Sequence, residues 1–237
     1  MNIAFKYRLS KSKIAAFEHC PRRLWLQIHR REAGRFDAQT LARFQIGHDV
    51  GRQARLTAPG GIMVDAEPDI QAALDKTAEL MKRGPIQPIF EATFQREDVL
   101  VRVDILEPDQ HGGWQAIEVK ASTRVKAYQL ADLATQIWVM QGCGATISQA
   151  IIRHVVGPIA WNSSDITRVK FQDANVTVPI KRHLLKRAAT VLAARKAVRG
   201  VEIHRAMGVH CQRPFACEFE AHCTLAATLP LFATSQF

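Results

Sequence analysis

The chain has 237 residues, 47% hydrophobic and 23% charged, an ordinary globular composition with enough residues for one sizeable core. No apolar run approaches the roughly 20 residues of a membrane span, and the opening MNIAFKYRLSKSK has no apolar stretch of the secretory kind, so a membrane-embedded or exported protein is not expected and a cytoplasmic one is. The formal net charge of +10 favours an acidic partner, nucleic acid ahead of an anionic membrane surface, against the plainer reading of a generally basic exterior.

Leu9–Arg31 reads as one amphipathic helix or two short ones, capped by Ser10 or Ser12, with Ile14, Phe17, Leu24 and Leu26 turned inward and Pro21 breaking the run beside Cys20. A second helix is expected over Ala38–Leu56, burying Leu41, Phe44, Val50 and Ala54 and carrying Gly47 and His48. Pro59, Gly60 and Gly61 form a turn, Ile62–Val64 a short strand, and Pro68 opens a third helix to about Arg83. Three strands follow at 88–95, 98–107 and 113–122, joined as an antiparallel meander. A helix over 125–142, a strand over Ala145–Val156, a further strand over Phe171–Val178 and a basic helix from Pro179 to Gly200 complete the pattern. No repeat or linker divides the chain. One domain over 1–237 is expected, with a helical part over 1–87, a core over 88–200 and a cysteine-rich segment over 201–237.

The most informative stretch lies in the core. Side chains alternate faces along a strand. Val99, Val101, Val103 and Ile105 therefore form one face and Arg102 and Asp104 the other; on the next strand Ile117 and Val119 oppose Ala116, Glu118 and Lys120. Pairing the polar faces brings Asp104, Glu118 and Lys120 together, with Glu91 of the preceding strand as a further acid. Two carboxylates suit Mg2+ or Mn2+, which take oxygen ligands and keep several waters. A lysine beside them can orient or deprotonate a metal-bound water, or offset charge developing on a phosphorane. The plain alternative is a solvated sheet face with a Glu–Lys pair. In the following helix Gln129, Asp132 and Gln136 share one face and Leu130, Leu133, Ile137 and Met140 the other, and His48 could supply a nitrogen ligand from upstream.

Five cysteines in a reducing compartment point to metal ligands or buried thiols rather than disulfides. Cys20 stands alone; Cys211, Cys217 and Cys223 follow as C-x5-C-x5-C, without the short C-x2–4-C pair usual for zinc. His210 and His222 beside them keep zinc open, and Cys143 is placed at a helix end.

The order Gly47-His48, Glu91, Asp104, Glu118-Val119-Lys120, Gln136 resembles the RecB-like branch of the PD-(D/E)xK nuclease superfamily. The early cysteine and late trio, with Leu9–Ser12 and Cys20–Leu26, resemble its iron–sulfur members, the CRISPR-associated and AddAB-type exonucleases. This resemblance spans roughly 9–223. No proline precedes Asp104, and Met140 stands where many relatives have a tyrosine. It implies an α/β fold with a mixed central sheet flanked by helices (a restriction-endonuclease-like core). It implies Mg2+ or Mn2+ held by Asp104, Glu118, His48 and the Val119 carbonyl, water assistance by Lys120, and Gln136 approaching the site. It also implies a 4Fe–4S cluster on Cys20, Cys211, Cys217 and Cys223 that joins the chain's two ends. The implied activity is metal-dependent hydrolysis of DNA, exonuclease-like on single-stranded ends; a non-catalytic nucleic-acid-binding or assembly module with the same fold and cluster is the alternative.

Candidate nucleic-acid contacts are Arg22, Arg23, Arg30 and Arg31 together with Lys181, Arg182, Lys186, Arg187, Arg195, Lys196 and Arg199 of the basic helix, whose apolar side is read as Leu184, Leu185, Val191, Leu192 and Val198. A merely solvated basic face is the alternative. Tyr128, Trp138 and Trp161 are candidates for base stacking, Trp138 being better suited to the core.

Overall fold

The computed structural model describes residues 9–66, 68–157 and 169–228, so Trp161 lies outside the described residues. The N-terminal run is two helices. Strand β1 (Leu9–Ser10) leads into α1 (Lys11–His19), whose N-cap Ser10 accepts a hydrogen bond from the Lys13 N–H at 3.4 Å. Extended backbone at Cys20 ends α1, and Pro21 starts α2 (Pro21–His29), where a missing N–H costs nothing. Helix α3 (Ala38–Arg55) begins at its N-cap Asp37. Strand β2 (Ile62–Met63) and α4 (Ile70–Lys82) follow; Asp69 caps α4, and Pro68 stands before the cap rather than inside the helix.

The meander is formed as expected by β3 (Ile89–Arg96), β4 (Val99–Pro108) and β5 (Trp114–Lys120). Then come α5 (Ala127–Gly142), β6 (Ile147–Val155), β7 (Phe171–Asn175), the short α6 (Lys181–Leu184), α7 (Arg187–Arg199) and α8 (Glu220–Thr228). The expected basic helix is thus split, because α6 ends before α7 begins. Seven strands make one mixed sheet in the order β2-β3-β4-β5-β6-β7, with β1 added to β4. Pairings β1–β4, β2–β3 and β5–β6 are parallel; β3–β4, β4–β5 and β6–β7 are antiparallel. This is the expected α/β architecture, a mixed sheet flanked by helices.

The larger core lies between one sheet face (Val101, Ala116, Ile152) and α1, α5 and α7, which contribute Ile14, Leu133 and Val191. A smaller core on the other face joins Ala54 at the end of α3 to Phe90, Ile105, Ile117 and Ile151. Strict alternation fails on β4. Val101 and Val103 belong to the larger core, yet Ile105 packs with the smaller one. The reset falls where Asp104 lies opposite Glu91, between the pairs Phe90↔Ile105 and Ala92↔Val103. Glu91 has a φ of +57°, a left-handed backbone that turns the strand over.

Two helices are more exposed than periodicity implies. Val50 and Ala54 of α3 are buried, but Leu41 and Phe44 are exposed, because only the C-terminal part of α3 meets the sheet; Phe44 instead packs edge-on against Phe36 at 5.2 Å. On α6–α7, Val191 and Val198 are buried whereas Leu185 and Leu192 face outward. Among the described residues no helix is long and apolar enough to cross a membrane.

Candidate active site and cysteine pocket

Strands β4 and β5 pair from Pro108↔Trp114 to Ile105↔Ile117. One step further the backbone ladder gives way to a side chain, as Asp104 Oδ2 accepts the Val119 N–H at 2.7 Å. Strand β1 pairs with β4 beyond this point, at Val99 and Leu100. The gap between β5 and β1 is where the polar residues gather. By register Asp104 falls on the same sheet face as Leu106 and Ala116, and Glu118 falls there too, toward α1 and α5.

Glu118 is fully buried and takes three side-chain donors. Lys120 Nζ lies 2.6 Å and Lys11 Nζ 2.7 Å from the same oxygen, Oε1. Gln136 of α5, itself fully buried, donates its Nε2 to Oε2. Asp132, one turn before Gln136, stands 3.9 Å from Lys120 Nζ. The structure therefore brings together Asp104, Glu118, Lys120, Gln136 and Asp132 as the sequence implied, and adds Lys11. Gln129 shares the helix face but serves the start of α5, accepting the Lys126 N–H at 2.8 Å.

The charges are uneven. Burial and the neighbouring Glu118 carboxylate push the Asp104 carboxyl up to about 7, against the opposing pull of Lys11, Lys120 and the Val119 N–H. Burial alone would raise Glu118 as well, but the two ammonium groups overcome it and hold Glu118 at about 2. Burial works against the charged form of Lys120, yet Glu118 and then Asp132 outweigh it and raise its pKa above the ordinary lysine value. A lysine held protonated so firmly acts as a cation. Of the roles open to it from sequence, orientation and charge compensation are the ones this charged form fills.

Two features of these residues suit a hydrated divalent cation. Asp104 is driven to keep a proton by burial and by a like charge, and a cation between the two carboxylates would relieve the second. Gln136 Oε1 is buried with no hydrogen-bond partner among the described residues, and a metal-bound water would supply the missing donor.

Two expected members are not brought in. His48 is exposed on α3, whose C-terminal end packs on the opposite sheet face. Glu91 lies across the ladder from Asp104, but its carboxylate is engaged by Arg102 at 3.1 Å and Arg55 at 3.4 Å. Among the described residues no three His, Cys, Asp or Glu side chains converge closely enough to hold a metal ion.

The four cysteines expected to act together do line one pocket, with Leu26, Phe219, Arg22 and Arg23. Cys20 comes from the α1–α2 bend, Cys211 from the end of the 3-10 turn Val209–Cys211, and Cys223 from α8. The Cys217 N–H bonds to the Cys211 carbonyl at 2.8 Å, closing the loop between them. All are free thiols. Burial pushes the Cys217 thiol up to about 11 and raises Cys223 as well, so these thiols are not activated as nucleophiles. Four thiols around one pocket, with two arginines at its edge, are a suitable donor set for a four-thiolate cluster. Cys143 lies at the end of α5, with its thiol 3.3 Å from the Gln95 carbonyl.

No family model matches this chain, and no curated protein does. Among solved structures it is similar to one described as "Crystal structure of SSO0001", at 13% identity and a TM-score of 0.36, with 81% of this chain and 79% of that chain covered. A likeness of that size says nothing about function.

The basic residues divide into two groups. Arg22 donates to Glu202 and Arg23 to Glu218, each at 2.8 Å, so both tie the C-terminal segment to α2. Arg187 is fully buried and forms a fork with both oxygens of Glu18 at 2.8 and 2.5 Å. Arg195 is bonded to Asp98 at 2.7 Å. Each of these four is matched by a carboxylate that ties it into the fold. Lys181, Arg182, Lys186 and Lys196 remain exposed, as do Arg30 and Arg31. Trp138 packs against the core and under the Arg96 guanidinium at 4.0 Å, and Tyr128 meets Phe215 edge-on at 5.9 Å.

Proposed function

We propose that the chain is a metal-dependent deoxyribonuclease that hydrolyses phosphodiester bonds, exonuclease-like on single-stranded ends, with a structural 4Fe–4S cluster. One observation carries the reading above the rest. Where β4 and β5 part, Asp104 accepts the Val119 N–H, and the residues on either side of Val119, Glu118 and Lys120, are bonded to each other. A divalent cation at Asp104, Glu118 and the Val119 carbonyl would supply Lewis-acid polarisation of the phosphoryl group and a more acidic water. Lys120 presents a fixed ammonium to charge that builds up on the phosphoryl oxygens during attack. Gln136 holds Glu118 from behind and keeps its orientation. The net charge of +10 and the exposed Lys181, Arg182 and Lys186 favour a polyanionic substrate. The cysteine quartet, joined to α2 through Arg23 and Glu218, fits a closure that fastens the C-terminal segment to the N-terminal helices.

The test is digestion of end-labelled single- and double-stranded DNA by anaerobically purified protein with Mn2+ or with EDTA. The expected result is Mn2+-dependent cleavage, faster on single strands. Binding of DNA without cleavage of any substrate would replace the enzyme by a binding or assembly module.

A further inference from the structure

Lys11 is absent from the carboxylate–lysine pattern, yet it reaches the centre of the site across 107 residues of sequence. The two lysines share Glu118 Oε1 but are not equivalent. Lys120 also has Asp132 at 3.9 Å and lies on the same strand as Glu118. Among the described residues Lys11 bonds to no acceptor but Glu118. The Lys11 side chain is 23% exposed, as open to solvent as that of Lys120 at 22%. Its place is fixed by two residues: β1 pairs with β4 just past the point where β5 departs, and Lys11 is the first residue of α1.

A carboxylate oxygen already bonded to two ammonium groups has no lone pair to spare. A divalent cation that takes this oxygen must displace one of them, and Lys11 has the fewer ties. Once displaced, its ammonium is left without an anionic partner and is free to meet a substrate phosphate. We propose that Lys11 is a second active-site lysine that satisfies Glu118 in the metal-free protein, yields Oε1 to a divalent cation, and then pairs with a non-bridging oxygen of the substrate phosphodiester. The inference rests on the reading of Asp104 and Glu118 as a cation site.

The experiment uses the full chain with four species: wild type, Lys11→Met, Lys11→Arg and Glu118→Gln, each checked for fold by far-UV circular dichroism. Mn2+ affinity is measured by calorimetry without DNA, and affinity for a single-stranded oligonucleotide by fluorescence anisotropy in Ca2+. Lys11→Met is expected to tighten Mn2+ about tenfold, since a competing cation is gone, and to weaken the oligonucleotide by about three- to tenfold, as one phosphate contact is lost. Lys11→Arg, which keeps the charge, stays near wild type in both. The proposal is overturned if Glu118→Gln abolishes Mn2+ binding while Lys11→Met leaves either affinity at the wild-type value. If Glu118→Gln leaves Mn2+ binding intact, the cation-site reading fails, and the proposal with it.

Discussion

Asp104 and Glu118 are neighbours of the same chemical type whose pKa values are pushed in opposite directions. Glu118 has both lysines on one oxygen, whereas Asp104 has a backbone N–H and a like charge nearby. The consequence for the metal-free protein has a definite sign. The folded pKa of Asp104, about 7, lies above its ordinary 3.8, so the folded state holds the proton more tightly than the unfolded chain. Its contribution to stability is full below about pH 4 and is lost as pH rises through about 7. Asp104→Asn removes the penalty and stabilises the metal-free protein at pH 8 by on the order of 1–3 kcal/mol, with a smaller gain at pH 5. Urea unfolding in EDTA at the two pH values measures this; a gain independent of pH would contradict it. Glu118, Lys120 and Gln136 were legible because strand alternation and helix periodicity each place a polar residue opposite an apolar one; Asp104 was legible only against Ile105, because the alternation from Val101 and Val103 breaks just before it. Lys11 was not, because a two-residue strand pairing with β4 has no periodicity to reveal it.

At the level of elements, α7 shows what composition hides. Its basic residues read alike in sequence, yet Arg187 is sealed against Glu18 of α1 and Thr135 of α5, while Lys186 beside it is exposed. A signal was present: Arg187 stands four residues before Val191 and seven before Ala194, on the helix's buried face. Removing one partner of a buried pair strands the other. Arg187→Met should therefore destabilise the protein by about 2–4 kcal/mol, discounted because Glu18 is partly exposed. Lys186→Ala should leave stability within about 0.5 kcal/mol and weaken DNA binding instead. Equal effects of both changes on stability in denaturant titrations would contradict this division. Helix α3 teaches a related lesson. Its apolar spacing is helical along its length, but the sheet it rests on ends before Phe44 and Leu41, so periodicity identified the helix and overstated how much of it is buried. His48 is misplaced for the same reason: its helix was legible, whereas the sheet face that helix covers was not.

Across the whole molecule, α2 is where the segment from Gly200 to Cys223 meets the N-terminal helices. Arg23 and Gln27 bond to Glu218, Trp25 to the Gly200 carbonyl, and Cys20 shares a pocket with Cys211, Cys217 and Cys223. The same C-terminal segment places Phe215 against Tyr128, one turn before Asp132 on the helix that carries Gln136. A cluster on the four cysteines would close a loop of nearly the whole chain, where the entropy gain from cross-linking is largest. Cys217→Ser should lose the visible absorbance of the cluster and lower Tm by on the order of 10 °C; unchanged absorbance and Tm would remove the cluster from the account. The gathering of Cys20 with the late trio was suggested by their spacing and by resemblance, but the ion pairs that seat the segment join residues almost 200 positions apart and leave no mark in local sequence. The central claim, that Asp104, Glu118 and Lys120 form a hydrolytic centre, is tested most directly by single-turnover cleavage of single-stranded DNA in Mn2+ by wild type and Lys120→Ala, with DNA affinity measured in parallel. The account predicts cleavage by wild type, a loss of about 100-fold or more in Lys120→Ala, and similar affinity for both. Cleavage by Lys120→Ala at the wild-type rate would contradict it.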